Sequence, residues 1–207
     1  MTVKTHLYDQ FREPRGPLGV LAGRIMSKRS SNRDRSTWTV DLLDVQPDDR
    51  ILELGYGPGV GLEAALRRLS TGRLVGLDHS TTMRNMAARR LRAVHRPLEP
   101  ELRIGTADAL PDDLGTFDKT FSCNVWLFWK APVAVFERLS GHLAPGGTVA
   151  VTHLPRHGGA TRESTIRAAD TISAQLVEAG YGALRQELLE LDPVPAVCVL
   201  ATRPLSR

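Results

Sequence analysis

The sequence predicts an α/β protein: a mostly parallel, doubly wound seven-stranded sheet with helices on both faces and a C-terminal antiparallel strand. Three observations lead there. From residue 50 onward short apolar runs alternate with segments of helical periodicity, the pattern of a parallel sheet covered on both sides. A glycine-rich stretch, Gly55 to Gly61, joins the first such run to the first helix. The last two extended runs, Ala183–Leu191 and Val194–Thr202, are separated only by Asp192 and Pro193, too short a connection for a parallel crossover, so they must pair antiparallel.

In chain order, the stretch through Arg35 has weak periodicity broken by Pro14, Gly16 and Pro17, with a short helix expected over Leu18–Lys28. A helix over Thr37–Asp44 presents Trp38, Val40 and Leu43 on related faces and is stopped by Pro47. Strand Arg50–Leu54, helix Gly59–Leu69, strand Leu74–Leu77 and helix Thr81–Val94 follow. The last of these spaces Met83, Met86, Ala87, Leu91 and Val94 as one apolar face. Next come strands Leu102–Gly105 and Phe117–Cys123, then helix Ala131–Leu143 with Phe136, Leu139 and Leu143. Pro145-Gly146-Gly147 turns the chain into strand Thr148–His153, and a helix over Glu163–Gly180 leads to the final pair.

A chain of 207 residues, 42% hydrophobic and 24% charged, is sized for one domain with its own core and too apolar to be largely disordered. Its net charge of +4 is local: residues 1–35 hold eight Lys and Arg against three Asp and Glu, and the remainder is about neutral. Residues 1–35 are therefore expected to form a basic N-terminal arm or lid, and 36–207 the ligand-binding domain. Because the excess lies in one segment rather than over a face of the fold, nucleic acid is not the expected partner, although an anionic substrate touching the arm stays open. Cys123 and Cys198 have no His or Cys at metal-ligand spacing, so no metal is expected and a reducing cytoplasm is the simplest compartment. No run is long enough for a transmembrane helix and Met1–Gln10 lacks a signal-peptide core, so no membrane association is expected.

The chemistry concentrates in Ile51-Leu52-Glu53-Leu54-Gly55-Tyr56-Gly57-Pro58-Gly59-Val60-Gly61. Glycines let a ligand approach the backbone, and the helix N-terminus beyond offers unpaired N–H groups. The dinucleotide fingerprint G-x-G-x-x-G does not fit, since its third glycine falls on Val60 or Leu62; a looser form starting at Gly59 begins where the helix should already run. Asp78 ends the second strand nineteen residues after Gly59, where a carboxylate can accept from both ribose hydroxyls. Glu53 is an acid in an otherwise apolar strand, a costly placement without a partner.

The G-x-G-x-G loop after h-h-E-h resembles that of class I S-adenosylmethionine-dependent methyltransferases. Asp78, the segment Gly105-Thr106-Ala107-Asp108-Ala109-Leu110-Pro111, Phe117-Asp118 and Leu143-Ala144-Pro145-Gly146-Gly147-Thr148 resemble further motifs of that family in order, over roughly residues 37 to 202. The resemblance implies S-adenosyl-L-methionine as cofactor. Its methionyl part would lie on Gly55, Tyr56, Gly57, Pro58 and Gly59 with Glu53 near its ammonium. Asp78 would hold the ribose, Asp108 with Ala109 the adenine, and His79 and Met83 the ring's other side; Asn124, just past the fourth strand, is also expected against the cofactor.

Ligands of such sheets sit beyond the strands' carboxyl ends. The fourth strand delivers Cys123-Asn124-Val125-Trp126-Leu127-Phe128-Trp129, without the Asn/Asp-Pro-Pro-Tyr/Phe tetrapeptide of nucleobase and glutamine methylases. Trp126 and Trp129 are candidate walls for a planar or apolar small-molecule acceptor, Trp126 the more so; Tyr56 is another acceptor-facing candidate. His153, closing the fifth strand, is the candidate general base should the acceptor begin protonated. Tyr8 and Phe11 could close over the pocket as a lid. The expected function is in-line methyl transfer to a small molecule. The alternatives are an RNA-directed enzyme docking through the arm, a cofactor-binding protein that does not methylate, and a NAD-dependent oxidoreductase.

Overall fold

The computed structural model describes residues 30–205. Most of the basic arm, the expected helix over Leu18–Lys28 and the lid residues Tyr8 and Phe11 lie outside that range.

Seven strands form one sheet: β1 (Arg50–Leu54), β2 (Arg73–Asp78), β3 (Glu101–Ile104), β4 (Phe117–Cys123), β5 (Leu143–His153), β6 (Gly182–Leu189) and β7 (Ala196–Thr202), in spatial order β3-β2-β1-β4-β5-β7-β6. Among the described residues five helices cover it: α1 (Ser30–Leu42), α2 (Val60–Leu66), α3 (Thr81–Arg92), α4 (Pro132–His142) and α5 (Arg162–Glu178). β1 pairs parallel with β2 on one side and β4 on the other, so loops after two sequentially distant strands diverge from the middle of the sheet. As expected, β7 is the antiparallel strand. It inserts between β5 and β6, pairing Val199 with Val151 and with Gln186, and the connection from β6 is longer than the two residues expected, running from Glu190 to Pro195.

Side-chain alternation sorts the strands onto two cores. Ile51, Leu74, Phe121 and Ala150 face α1, α2 and α3, meeting Val40, Leu62 and Ala87. Leu52, Val75, Val149 and Val199 face α4 and α5, meeting Phe136, Leu139 and Ile172. Central strands covered on both sides leave almost nothing exposed, the reason they read as continuous apolar runs.

Two differences from expectation have clear causes. β5 begins at Leu143 rather than Thr148, because Leu143 already pairs with Phe117 before the register shifts around Pro145-Gly146-Gly147. α1 starts at Ser30 rather than Thr37, so the last residues of the basic stretch are helical. Its first turns are buried through polar side chains, with Arg35, Ser36 and Thr39 all enclosed ahead of Val40, and Thr39 Oγ1 lies 2.6 Å from Thr152 Oγ1 in β5. A polar face gives apolar periodicity nothing to detect. No helix of the described residues is long and apolar enough to cross a membrane.

Candidate functional site

A cavity of about 750 Å³ opens beyond the carboxyl ends of the parallel strands, inside the size range of small-molecule sites. Its floor is the glycine loop. Gly55, Gly57 and Gly59 all have left-handed backbones, with φ of 69°, 49° and 79°. A Cβ on Gly59 would stand 2.8 Å from that of Ala87, so this glycine lets α3 pack against the loop; a Cβ on Gly57 would meet nothing within 4 Å, so there the backbone lies open to a ligand.

Two acids stand beneath the loop. Glu53 is buried, the Leu62 N–H opposes one of its oxygens, and its Oε2 has no hydrogen-bond partner among the described residues. Burial first, and the charge of Asp78 second, hold its carboxyl well above the usual carboxylate range. Asp78, also buried, accepts from the Gly57 N–H and from the Ser80 N–H, each at 2.8 Å. Burial raises it as well, opposed by those two N–H groups. Two neighbouring buried carboxyls, both strained toward protonation, make a place that a cation would relieve.

Most residues expected at the site are brought to it: Glu53, Gly55, Tyr56, Gly57, Pro58, Asp78, His79, Met83, Asp108, Asn124, Trp129 and His153 all line the cavity. Gly59 lies behind its wall as the left-handed N-cap of α2. Tyr56 is turned into the core under β2, where it packs on Gly76 and its hydroxyl approaches the Arg103 carbonyl, rather than toward an acceptor. Asp108 is exposed and accepts from the Lys130 N–H at 3.0 Å, leaving its other oxygen available. Asn124, with φ 58°, clamps the end of β5, its amide donating to the Leu154 carbonyl at 3.0 Å and its carbonyl accepting the Leu154 N–H at 2.7 Å.

Two expectations are corrected. Trp126 does not line the cavity: it opens the short 3-10 turn Trp126–Phe128, its indole N–H donates to Gln175 of α5 at 2.7 Å, and its ring meets the His153 ring edge-on. Phe128 and Trp129 line the cavity instead, and Trp129 packs edge-on against Phe136. Ala109 does not line it either, because a bridge between Thr106 and Ala109 folds the segment back and leaves Ala107 facing inward.

His153 is pushed down to about 4, first by burial and then by the charges of Arg35 and His157, so it is a neutral imidazole at ordinary pH. Residues the sequence did not single out complete this end of the cavity. Arg35 is only 4% exposed, and Asn32, Cys123, Arg156 and His157 stand with it. The one available signal was the helical spacing of Asn32, Arg35 and Thr39. Among the described residues no group of three or more His, Cys, Asp or Glu could hold a metal ion.

Comparison with known proteins agrees with this geometry. Residues 51–147 match a family described as a methyltransferase domain. The chain is 30% identical over 185 residues, 89% of its length and 99% of the relative's, to the uncharacterized methyltransferase YdaC of Bacillus subtilis. Over 106 residues, 51% of this chain and 38% of the relative, it is 36% identical to trans-aconitate 2-methyltransferase of Sinorhizobium medicae. Among solved structures it is similar to a complex of the Haloferax volcanii Trm112 methyltransferase activator with a methyltransferase, with a TM-score of 0.74 at 17% identity, covering 96% of this chain and 98% of that one.

Proposed function

This chain belongs to the class I S-adenosylmethionine-dependent methyltransferases, and we propose that its methyl acceptor is a small molecule bound beyond the ends of β4 and β5. The observation that carries this is the character of the cavity there: it is walled by Phe128, Trp129 and Leu154 and backed by His153, a partly apolar recess suited to a compact acceptor.

The residues at the other end suit the cofactor, S-adenosylmethionine. Glu53, with Oε2 unpartnered among the described residues, fits its ammonium, the open backbone at Gly57 admits its methionyl chain, and Asp78 has lone pairs left for ribose hydroxyls. Asp108 and Ala107 would take the adenine edge and face, with His79 and Met83 opposite. When bound, the cofactor supplies a methyl group on a sulfonium, already an activated leaving group. The protein's task is then largely to hold an acceptor lone pair in line and keep water out. Phe128 and Trp129 orient the acceptor, Asn124 fixes the loop after β4 to the end of β5, and the neutral His153 accepts a hydrogen bond, or the proton of an acidic acceptor.

The two thiols, Cys123 and Cys198, are unbridged, which suits a reducing cytoplasm. The test supplies methyl-labelled cofactor with a small-metabolite extract and, separately, with total RNA. Label in the metabolite fraction supports the reading; label confined to RNA overturns it in favour of docking through the basic arm.

A further inference from the structure

Apart from His79, beside Asp78, and Lys130, whose backbone N–H binds Asp108, the charged groups of the cavity are divided by strand. Its acids, Glu53, Asp78 and Asp108, belong to β1, β2 and the loop after β3. Arg35, Arg156, His153 and His157 stand at the ends of β4 and β5. Arg35 is buried, yet its Nε and Nη1 meet no hydrogen-bond acceptor among the described residues. Its Nη2 donates to Asn32 Oδ1 at 3.1 Å, and Arg156 Nη2 donates to the same oxygen at 2.9 Å and to Ser31 Oγ at 3.2 Å, which brings the two guanidinium groups together. Among the described residues the groups that interact with the Arg35 charge are the Cys123 side chain, which hydrogen-bonds it, and His153, neither of them a carboxylate. A buried cation that has no counter-ion among the described residues is costly, by several kcal/mol, until an anion meets it. A pocket that keeps one facing its interior is built for an anion that arrives from outside.

We infer that the methyl acceptor carries a carboxylate, which seats on the Arg35 guanidinium with Arg156 beside it. The inference rests on the small-molecule reading above and names the acceptor's class. A monoanion matches the site better than a phosphate dianion, since desolvation rises steeply with charge and only one of the two guanidinium groups is enclosed. The same arrangement directs the cofactor's ammonium to Glu53 and the acceptor's carboxylate to the buried Arg35.

The test uses benzoate and its neutral isostere benzamide, titrated calorimetrically into the full chain saturated with S-adenosylhomocysteine. Benzoate should bind at least tenfold tighter than benzamide, and Arg35→Gln should abolish that preference while leaving S-adenosylhomocysteine affinity within twofold. Arg156→Gln, on an exposed residue, should lower benzoate affinity at least threefold, and carries the test if the Arg35 variant does not fold. Equal binding of benzoate and benzamide, or tighter binding of phenyl phosphate than of benzoate, overturns the inference. So does a tenfold loss of S-adenosylhomocysteine affinity in Arg35→Gln with methylthioadenosine affinity unchanged, because Arg35 would then serve the cofactor's own carboxylate. Parity of the two probes in an enzyme that labels metabolites sinks only this inference; label confined to RNA sinks the small-molecule reading itself.

Discussion

Replacing Glu53 by Gln separates a structural acid from one kept for a ligand. The side chain is buried, one oxygen lacks a partner among the described residues, and Gly61 at the start of α2 packs directly on it. Gln has the same shape and no charge. Glu53 holds its proton more tightly folded than unfolded, because burial and Asp78 raise it. Below the ordinary carboxylate range both states are protonated and nothing is lost. As pH rises from there through the raised value, the unfolded chain ionises first and stability falls. The ligand-free Glu53→Gln protein should therefore melt at or above the wild-type temperature at pH 8, with the gap closing toward pH 4. Cofactor binding should change in the opposite sense: a hydrogen bond to a charged group contributes about 1.5–3 kcal/mol, which corresponds to roughly 10- to 150-fold in Kd. Calorimetric titration of S-adenosylhomocysteine at pH 8 and differential scanning fluorimetry measure both. Affinity within threefold of wild type, or a ligand-free protein that melts far lower at pH 8, would refute the assignment.

Other expectations follow from the same geometry. Gly57→Ala adds a methyl into open space at φ 49° and should cost about 1–2 kcal/mol; Gly59→Ala adds comparable strain plus a 2.8 Å approach to Ala87 and should cost clearly more in urea denaturation. Asn124→Ala breaks both bonds to Leu154 and should lower stability by about 1–3 kcal/mol, with turnover falling further than cofactor affinity. His153, held near 4 when folded against about 6.5 when unfolded, adds stability that is present above that window and lost as pH falls through it. His153→Asn should lose less melting temperature than wild type between pH 7 and pH 4.5. Trp129→Ala should raise acceptor KM, whereas Trp126→Phe, which removes only the bond to Gln175, should leave it unchanged.

The sheet was legible because its central strands are buried on both faces, and a run such as Leu74-Val75-Gly76-Leu77 has few other uses. The cofactor end was legible because it depends on backbone: left-handed glycines and an acid at a strand tip leave fixed marks in a sequence. The acceptor end was not. Which of three neighbouring aromatics faces a cavity depends on the 3-10 turn Trp126–Phe128, and no residue type announces that turn. Ala107 and Ala109 exchange roles for a similar reason, a local bridge that reverses the segment. Arg35 was hidden more deeply, since it sits in the first turns of a helix, where the buried residues are polar and the sequence looks like the end of a solvated basic arm.

The topology explains why the two ends of the cavity differ in charge. β1 lies between β2 and β4, and the loops leaving β1 and β4 touch where a Cβ on Gly55 would come within 2.4 Å of Val125. On one side of that contact the chain runs outward through β2 and β3, carrying Asp78 and Asp108 with it. On the other it runs through β4 and β5, where Arg156 follows β5 and α1, which reaches back across the strand ends through Thr39 and Thr152, brings the buried Arg35. On the proposed reading the cofactor's ammonium and the acceptor's carboxylate are thus drawn to different sides of one seam. On that reading the fold supplies the seam, and Glu53 and Arg35, each buried with atoms left unsatisfied among the described residues, assign one ligand to each side.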